Sequence, residues 1–472
     1  MKVCGVVKIA LYLFGFLVYG LGGSSVAATE KDVKEPLSPK EEVAVAEMIR
    51  YTLKHHPVIK RQFSQIETAR SFVSDANWQY YPTPSLTVEQ GGGDTVSSLR
   101  LQQPLWTWGK LGAEKSRAQS ELQGEYYALD AAQQTLSLEF VQAYGDLLAA
   151  NLKQQAHQKN GEKHQMLLDQ MRRRIDQGVS AQSERVLAAA RLEQVWADQA
   201  LASSAIQKST VKLESFLGRE LTQAERDLSA NTDQAISAKL KTVIPDTLQQ
   251  AMNTAVSSSP ALKYKTVQVE MADHVIDRKK AELLPEIYLR AQSQKEENQS
   301  TDNKIYVGFT TSLGPGLSSL NKVGQARTLK EAAQAELEIA QREHQEQVGQ
   351  DWKLAAILQK RITALESSLA ASEKITESWE RLFRYGRKSW LDVMNAAKEK
   401  NSIELRLADA QSAQWVLQWR LAIHTQGIAQ ALNQITHAEF FSSQQHQPSG
   451  DHSEYVSKAI DKVSKLLNWD QK

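Results

Sequence analysis

The chain has 472 residues, enough for two or three ordinary domains, with 56 basic residues, 55 acidic residues and a single cysteine. That balance gives no electrostatic footprint for nucleic acid, and because the one thiol is Cys4, the rest of the chain has no disulfide, thiolate metal site or cysteine nucleophile. Beyond residue 27 no stretch approaches eighteen consecutive apolar residues, so any membrane part there must be a β-barrel rather than a helix.

Residues 1–27 read as a secretory signal peptide: Lys2 and Lys8, an apolar run from Ile9 to Leu21, then Ser25, Val26, Ala27 and Ala28. The run is thirteen residues long, short of the roughly 20 that a bilayer core requires. Without Lys2 and Lys8 the basic residues fall to 54 against 55 acidic, a net charge near −1. The first half, 28–243, opens with a helix predicted to begin near His56-Pro57 and to end before Pro82. A hairpin over about 84–103 turns at "GGGDT" (91–95); Leu86 and Val88 alternate with Thr87 and Glu89, and Leu99 and Leu101 with Arg100 and Gln102. Pro104 is expected to end the descending strand. Trp106 and Trp108 would then form an aromatic corner, and Gly109 would allow the bend into a helix over about 113–176. No proline interrupts that run, and sixty helical residues span roughly 90 Å at 1.5 Å each. A tight turn at Gly178 leads into a second long helix over about 179–217, and 219–243 connects to the second half.

The second half, 244–430, follows the same plan. A helix starts near Pro260 and ends before Pro285, a hairpin covers about 286–313, and long helices cover about 325–385 and 391–426. At an offset of 203, Pro57 meets Pro260, Ala69 meets Ala272 and Pro82 meets Pro285; at 208, Gly178 meets Gly386 and Glu184 meets Asp392. The drift places an insertion near "SQKEENQSTDNK" (293–304). In the tail, 431–472, a linker precedes "YVSKAIDKVSKLLNW", whose Val456, Ile460, Val463 and Leu467 form the stripe of a short amphipathic helix.

Ala355, Leu358, Ile362, Leu365, Leu369, Ser372, Thr376, Trp379 and Phe383 step by threes and fours, as in a coiled coil. Alanine also recurs on flanking faces, which suits a closed cylinder of helices; a plain antiparallel bundle fits the composition as well. The hairpins discriminate, because they carry one apolar and one polar face, the signature of a membrane β-barrel. Four strands close no barrel, since the smallest have eight, so chains must pool strands: eight from two, twelve from three. The tryptophan corner suits a membrane interface, with a soluble core corner as the other reading.

The motifs "HHPVI" and "SSSPAL", "YYPTPSL", "QPLWTWGKLG", "QGVSAQSERVLAA", "LESFLGREL" and "YGRKSWLDVMNA", in this order and with this repetition, resemble the TolC family of outer-membrane efflux and secretion channels. The resemblance covers roughly residues 40–430. It implies an α plus membrane-β fold with internal duplication, in which a homotrimer shares a twelve-stranded barrel, four strands per chain, continued by a long α-helical barrel in the periplasm. Residues 219–247 would lie in a belt around its waist. "GRKSWLD" is also similar to the outer-membrane parts of type I systems that export large adhesins. The implied partners are the outer-membrane lipid, a periplasmic adaptor and an inner-membrane transporter, ABC type for secretion and proton-driven for small-molecule efflux. A periplasmic coiled-coil scaffold is the alternative of another class.

No catalytic constellation, cofactor motif or metal-ligand spacing is present, which argues against an enzyme. His55-His56 are adjacent and do not share a helix face; "MRRRID" (171–176) suits a helix C-terminus. By resemblance, the two helix turns form a periplasmic tip where the pore narrows and the adaptor docks: Gly178, Ser183 and Glu184 in the first, Gly386, Arg387 and Lys388 in the second. Asp392 is expected in the constricting ring. Asn395 stands where a second acid is common in the family, leaving three carboxylates rather than six. Lys388 is expected to latch the tip through Glu184 or Ser183. Ordinary helix-start polarity is the plainer reading of these residues.

Overall fold

The computed structural model describes residues 39–436 except 92–93, 227–243, 297–299 and 312–313. The expected signal peptide, most of the connecting segment 219–243 and the amphipathic helix of the tail lie outside the described residues. The elements are α1 (Pro39–His55), α2 (Pro57–Trp78), β1 (Thr83–Gly91), β2 (Asp94–Trp106), α3 (Lys110–Asp176), α4 (Gln182–Leu217) and α5 (Gln223–Arg226). They continue with α6 (Leu248–Ser258), α7 (Pro260–Ala281), β3 (Glu286–Glu296), β4 (Asp302–Thr310), a 3₁₀ turn (Pro315–Leu317), α8 (Ser319–Arg384), α9 (Trp390–Gln426) and α10 (Ile428–Thr436).

The order helix, hairpin, very long helix, long helix occurs twice. The helices of the first set have 22, 67 and 36 residues and those of the second 22, 66 and 37. At 1.5 Å per residue, α3 and α8 each run for roughly 100 Å. The proline-free runs mark these helices well, although α3 and α8 start a few residues before the expected positions. Both α2 and α7 begin on an X-Pro step. His56 Nδ1 accepts from Val58 N at 3.3 Å, and Ser259 Oγ from Leu262 N at 3.4 Å, with proline in the first turn, where no amide is needed.

The four strands form one antiparallel sheet in the order β1-β2-β3-β4. Within it, Leu86 pairs with Leu99, Leu101 with Ala291 and Ala291 with Ile305, so one face carries apolar residues on all four strands, with Ser97, Gln103, Ser293, Lys295 and Asn303 also on it. On that face Leu86 is 71% exposed, Ile305 76% and Phe309 76%. The opposite face carries Ser85, Arg100, Gln292 and Lys304 in one row and Thr83, Gln102, Arg290 and Tyr306 in the next.

Pro104 does not end the strand. β2 continues to Trp106, and its pairing with β3 shifts between Pro104 (opposite Tyr288) and Trp106 (opposite Ile287). This is a β-bulge, one of the few places where a strand accepts a proline. The extra residue, Leu105, reverses the alternation, so Trp106 joins Ile287 and Phe309 on the apolar face instead of following Pro104 onto the polar one.

Two apolar cores hold the helices. The larger joins α1, α3, α4, α9 and α10 and includes Met48, Ile49, Phe140, Tyr144, Leu213, Trp415, Trp419 and Leu432. The smaller lies at the far end, where Leu167, Leu168 and Met171 of α3 meet Leu192 of α4, Phe383 of α8, and Trp390, Val393 and Met394 of α9. Between them the coiled-coil stripe of α8 is realised: Leu358 and Ile362 are buried against Ala410 and Leu417 of α9. No described helix is long and apolar enough to cross a membrane.

Candidate functional site: the two helix turns and the strand-to-helix corner

The turns α3–α4 and α8–α9 share one construction. Gly178 has φ 69° and Gly386 φ 71°, in the left-handed region that glycine enters without a Cβ penalty. In the first turn Gly178 N donates to Ile175 O at 2.8 Å and Val179 N to Arg174 O at 2.9 Å. In the second, Gly386 N donates to Phe383 O at 2.9 Å and Arg387 N to Leu382 O at 2.9 Å. Both are Schellman motifs, which satisfy the last helix carbonyls and reverse the chain. Neither glycine has an atom within 4 Å of a Cβ placed on it, so substitution strains the backbone alone. Gly178→Ala and Gly386→Ala are each expected to lower stability by about 1–2 kcal/mol, the left-handed penalty for an L-residue, read as a lower melting midpoint in detergent.

The helices leaving the turns are started differently. Glu184 lies in the first turn of α4, whose cap residue Ala181 offers no side-chain bond. α9 has a full capping box: Ser389 Oγ accepts from Asp392 N at 3.2 Å, and Asp392 Oδ2 accepts from Ser389 N at 3.2 Å. The bonds from Ser389, more than the nearby Lys388, hold the Asp392 carboxyl below the usual carboxylate range. Ser-x-x-Asp before an apolar run announces this box in the sequence, and it is the form that the helix-start polarity of Asp392 takes. Asp392 and Asn395 are three residues apart, off the buried side of α9 that carries Val393, Met394, Ala396 and Ala397.

Within the chain Lys388 pairs with neither Glu184 nor Ser183, contrary to the expected latch. Its Nζ lies 3.8 Å from Asp392 Oδ2 and 4.2 Å from the centre of the Trp379 ring. Both partners are close in sequence, so the contact costs little chain ordering, and the indole face favours a cation. The basic end of α3 is used similarly, with the Arg174 guanidinium 4.9 Å above the Phe383 ring. Sequence reading missed a polar cleft of about 240 Å³ between α3, α8 and α9. Lys163 Nζ to Glu380 Oε2 at 2.5 Å and Lys400 Nζ to Glu373 Oε1 at 2.7 Å bridge helices there.

At the opposite end Trp108 (φ 54°) and Gly109 (φ 84°) turn the chain from β2 into α3. A tryptophan in the left-handed region is unusual, and it is anchored: its Nε1 donates to Pro285 O at 2.8 Å. Trp106 and Trp108 meet edge to face at 6.0 Å and stand 57% and 47% exposed. Lys110 Nζ lies 3.2 Å from Glu286 Oε2, so the corner is fastened to the start of the second hairpin.

A one-faced apolar sheet at one end of roughly 100 Å helices, with matched turns at the other end, is the outline of a known class. Residues 67–219 match the model of the outer membrane efflux protein family. The chain is similar to that family over those residues, and its place is the outer membrane. It is 24% identical over 360 residues to the alkaline protease secretion protein AprF of Pseudomonas aeruginosa, covering 74% of this chain and 73% of that protein. It is 25% identical over 177 residues to the outer membrane efflux protein BepC of Brucella suis, covering 36% of this chain and 38% of BepC. The structure of the CmeC outer membrane channel of Campylobacter jejuni superposes with a TM-score of 0.68 at 14% identity, covering 94% of this chain and 97% of CmeC. The fold is therefore that of the efflux and secretion channels.

Proposed function

We propose that the chain is the exit duct of a tripartite export machine, a homotrimer whose four-stranded sheets close into one twelve-stranded barrel above a barrel of helices. The observation that carries this reading is the sheet itself: it has four strands, β1 and β4 have no outer neighbour among the described residues, and its apolar face is exposed. Open edges in lipid leave backbone groups without partners, and four strands fall short of the eight of the smallest barrel. Three chains supply twelve. Strands of 9 to 13 residues have the length a tilted membrane strand requires. Pro104, Trp106, Trp108 and Gly109 then sit at the periplasmic interface. The halves 28–243 and 244–430 are duplicated units, as the paired helix lengths support.

At the far end, Asp392 and Asn395 form the constriction. The turns around Gly178, Ser183, Glu184, Gly386, Arg387 and Lys388 receive an adaptor, with an inner-membrane transporter behind it. The cargo class favoured is an exported protein, because the relative spanning most of the chain is a protease secretion protein; small-molecule efflux is the second reading, favoured by BepC. Since Lys388 screens Asp392 within the chain, Lys388→Glu adds charge repulsion at the ring and is expected to raise single-channel conductance in bilayers. An unchanged conductance would count against the ring.

The direct test is fractionation followed by gel filtration in detergent. The reading expects heat-modifiable protein in the outer-membrane fraction, running as a trimer. A soluble monomer without detergent overturns it in favour of the scaffold. Deleting the gene separates the cargoes: loss of a protein from the medium supports secretion, and increased sensitivity to toxic small molecules supports efflux.

A further inference from the structure

The polar face of the sheet is layered by charge. Arg100 and Lys304 flank Gln292 in one row, and Arg290 lies in the next row between Gln102 and Tyr306. With strands about 4.8 Å apart and same-face residues about 7 Å apart along a strand, the three cations form one patch roughly 10 Å across. The acids are set towards the ends: Glu89, Asp94, Glu296 and Asp302 at register positions on the loop side, and Glu286 at the base beside Lys110. Asp302 is bonded to Lys304. Among the described residues neither Arg100 nor Arg290 has a carboxylate partner.

Arg290 is positioned, not merely present. Gly308, opposite Tyr288, leaves the sheet bare beneath that ring: a Cβ there would lie 2.7 Å from the Tyr288 hydroxyl. The ring lies over the gap and presents a face to Arg290, whose guanidinium carbon is 4.6 Å from its centre. Gln102 Oε1 accepts from Arg290 Nε at 3.2 Å and Nη2 at 2.8 Å, fixing the guanidinium plane. Arg100 Nε is buried without a hydrogen-bond partner. Guanidinium groups at mid-height without a carboxylate partner, that of Arg290 held in plane by Gln102, suit planar anions, to which arginine binds bidentately.

We infer that Arg100, Arg290 and Lys304 form an anion-attracting band on the inner wall of the barrel, a transient site for carboxylate- or phosphate-bearing solutes passing through it. The inference rests on the channel reading, because only barrel closure brings the copies of the band round one lumen. Lumen-facing residues tune selectivity in such barrels, and a cleft lined by one sign of charge raises the local concentration of its counter-ion.

The test is single-channel recording of the full chain in planar bilayers under a potassium chloride gradient, with inorganic tripolyphosphate added on the hairpin-loop side. Wild type is expected to show block by tripolyphosphate. R100Q/R290Q is expected to weaken that block about tenfold, the low end of charge focusing in a lined cleft, and to move the reversal potential towards cation preference. R100K/R290K keeps the charge and is expected to retain the block, which separates electrostatics from misfolding. Absence of block in wild type, or equal block and reversal potential in R100Q/R290Q, overturns the band while the channel stands. Absence of any conductance from wild type overturns the channel reading and the band with it.

Discussion

Gly145→Ala is expected to lower the melting midpoint of the protein, although the same change in an exposed helix raises stability. Gly145 lies inside α3, where alanine is ordinarily better than glycine by about 1 kcal/mol. Here the added Cβ would stand 2.2 Å from Val416 Cγ2 of α9, well inside contact distance. Neither side has room to yield. Val416 is β-branched and 5% exposed in the large core, and Ser412 Oγ, one turn away on α9, donates to Gly145 O at 2.7 Å. That bond fixes the separation of the two backbones. Overpacking of such a site costs typically 1–3 kcal/mol, which exceeds the gain in propensity. The net expectation is a loss of about 1–2 kcal/mol for Gly145→Ala and about 3 kcal/mol for Gly145→Leu, from the upper part of that range. A second substitution decides whether the contact is the cause. Val416→Ala leaves a cavity and destabilises alone, but adding Gly145→Ala to it should restore stability, since the new methyl then occupies vacated space. Additive losses in the double variant would show that Gly145 matters for some other reason.

Gly145 also marks what the sequence could and could not reveal. Its helix was legible from a proline-free run, and the strands from a period of two, because both patterns are local and extend over many residues. The partner of Gly145 is 271 positions away, and nothing in "QAYGDLL" distinguishes a glycine in a helix crossing from one that is tolerated. Pro104 was misread for a related reason. Locally a proline stops a strand; the bulge that accommodates it depends on the register of β3, supplied from the other half of the chain. The left-handed Trp108 depends likewise on Pro285 O. At the second turn the sequence reading singled out Lys388. It paired Lys388 across to Glu184 or Ser183, whereas Trp379 and Asp392 were nearer and required less ordering. Arg100 and Arg290 looked like alternation residues until pairing put them in neighbouring rows of one face. In each case the missing information was which distant element lies opposite.

Mild acid is expected to loosen the packing around the end of α9, and His424 is the main cause. This histidine, in the last turn of α9, is enclosed by α3, α6 and α8. Gln134 Nε2 approaches its Nδ1 at 3.3 Å, Ser258 Oγ donates to its backbone carbonyl at 3.0 Å, and the His344 ring stands edge-on at 5.2 Å. Burial first, then His344 and Arg420, lower its pKa from 6.5 to about 4. A ring nitrogen facing the Gln134 amide acts as acceptor, a role that protonation abolishes. The native state therefore resists a proton that the unfolded chain takes up. Stability from this group is full above pH 6.5, declines as pH falls, and the decline levels off below about 4. At about 1.4 kcal/mol per pH unit, the loss by pH 5 is about 2 kcal/mol. His344, also lowered by burial, acts in the same sense. Asp351 opposes it. Burial outweighs the Arg420 Nη2 at 3.0 Å and raises its pKa, so its native form gains protons as pH falls. In thermal melts between pH 7.5 and 5, wild type should lose stability while His424→Gln, which keeps an amide partner for Gln134 but cannot titrate, shows a much flatter dependence. If His424→Gln is as acid-labile as wild type, the proton enters elsewhere and the buried histidine is not the sensitive point.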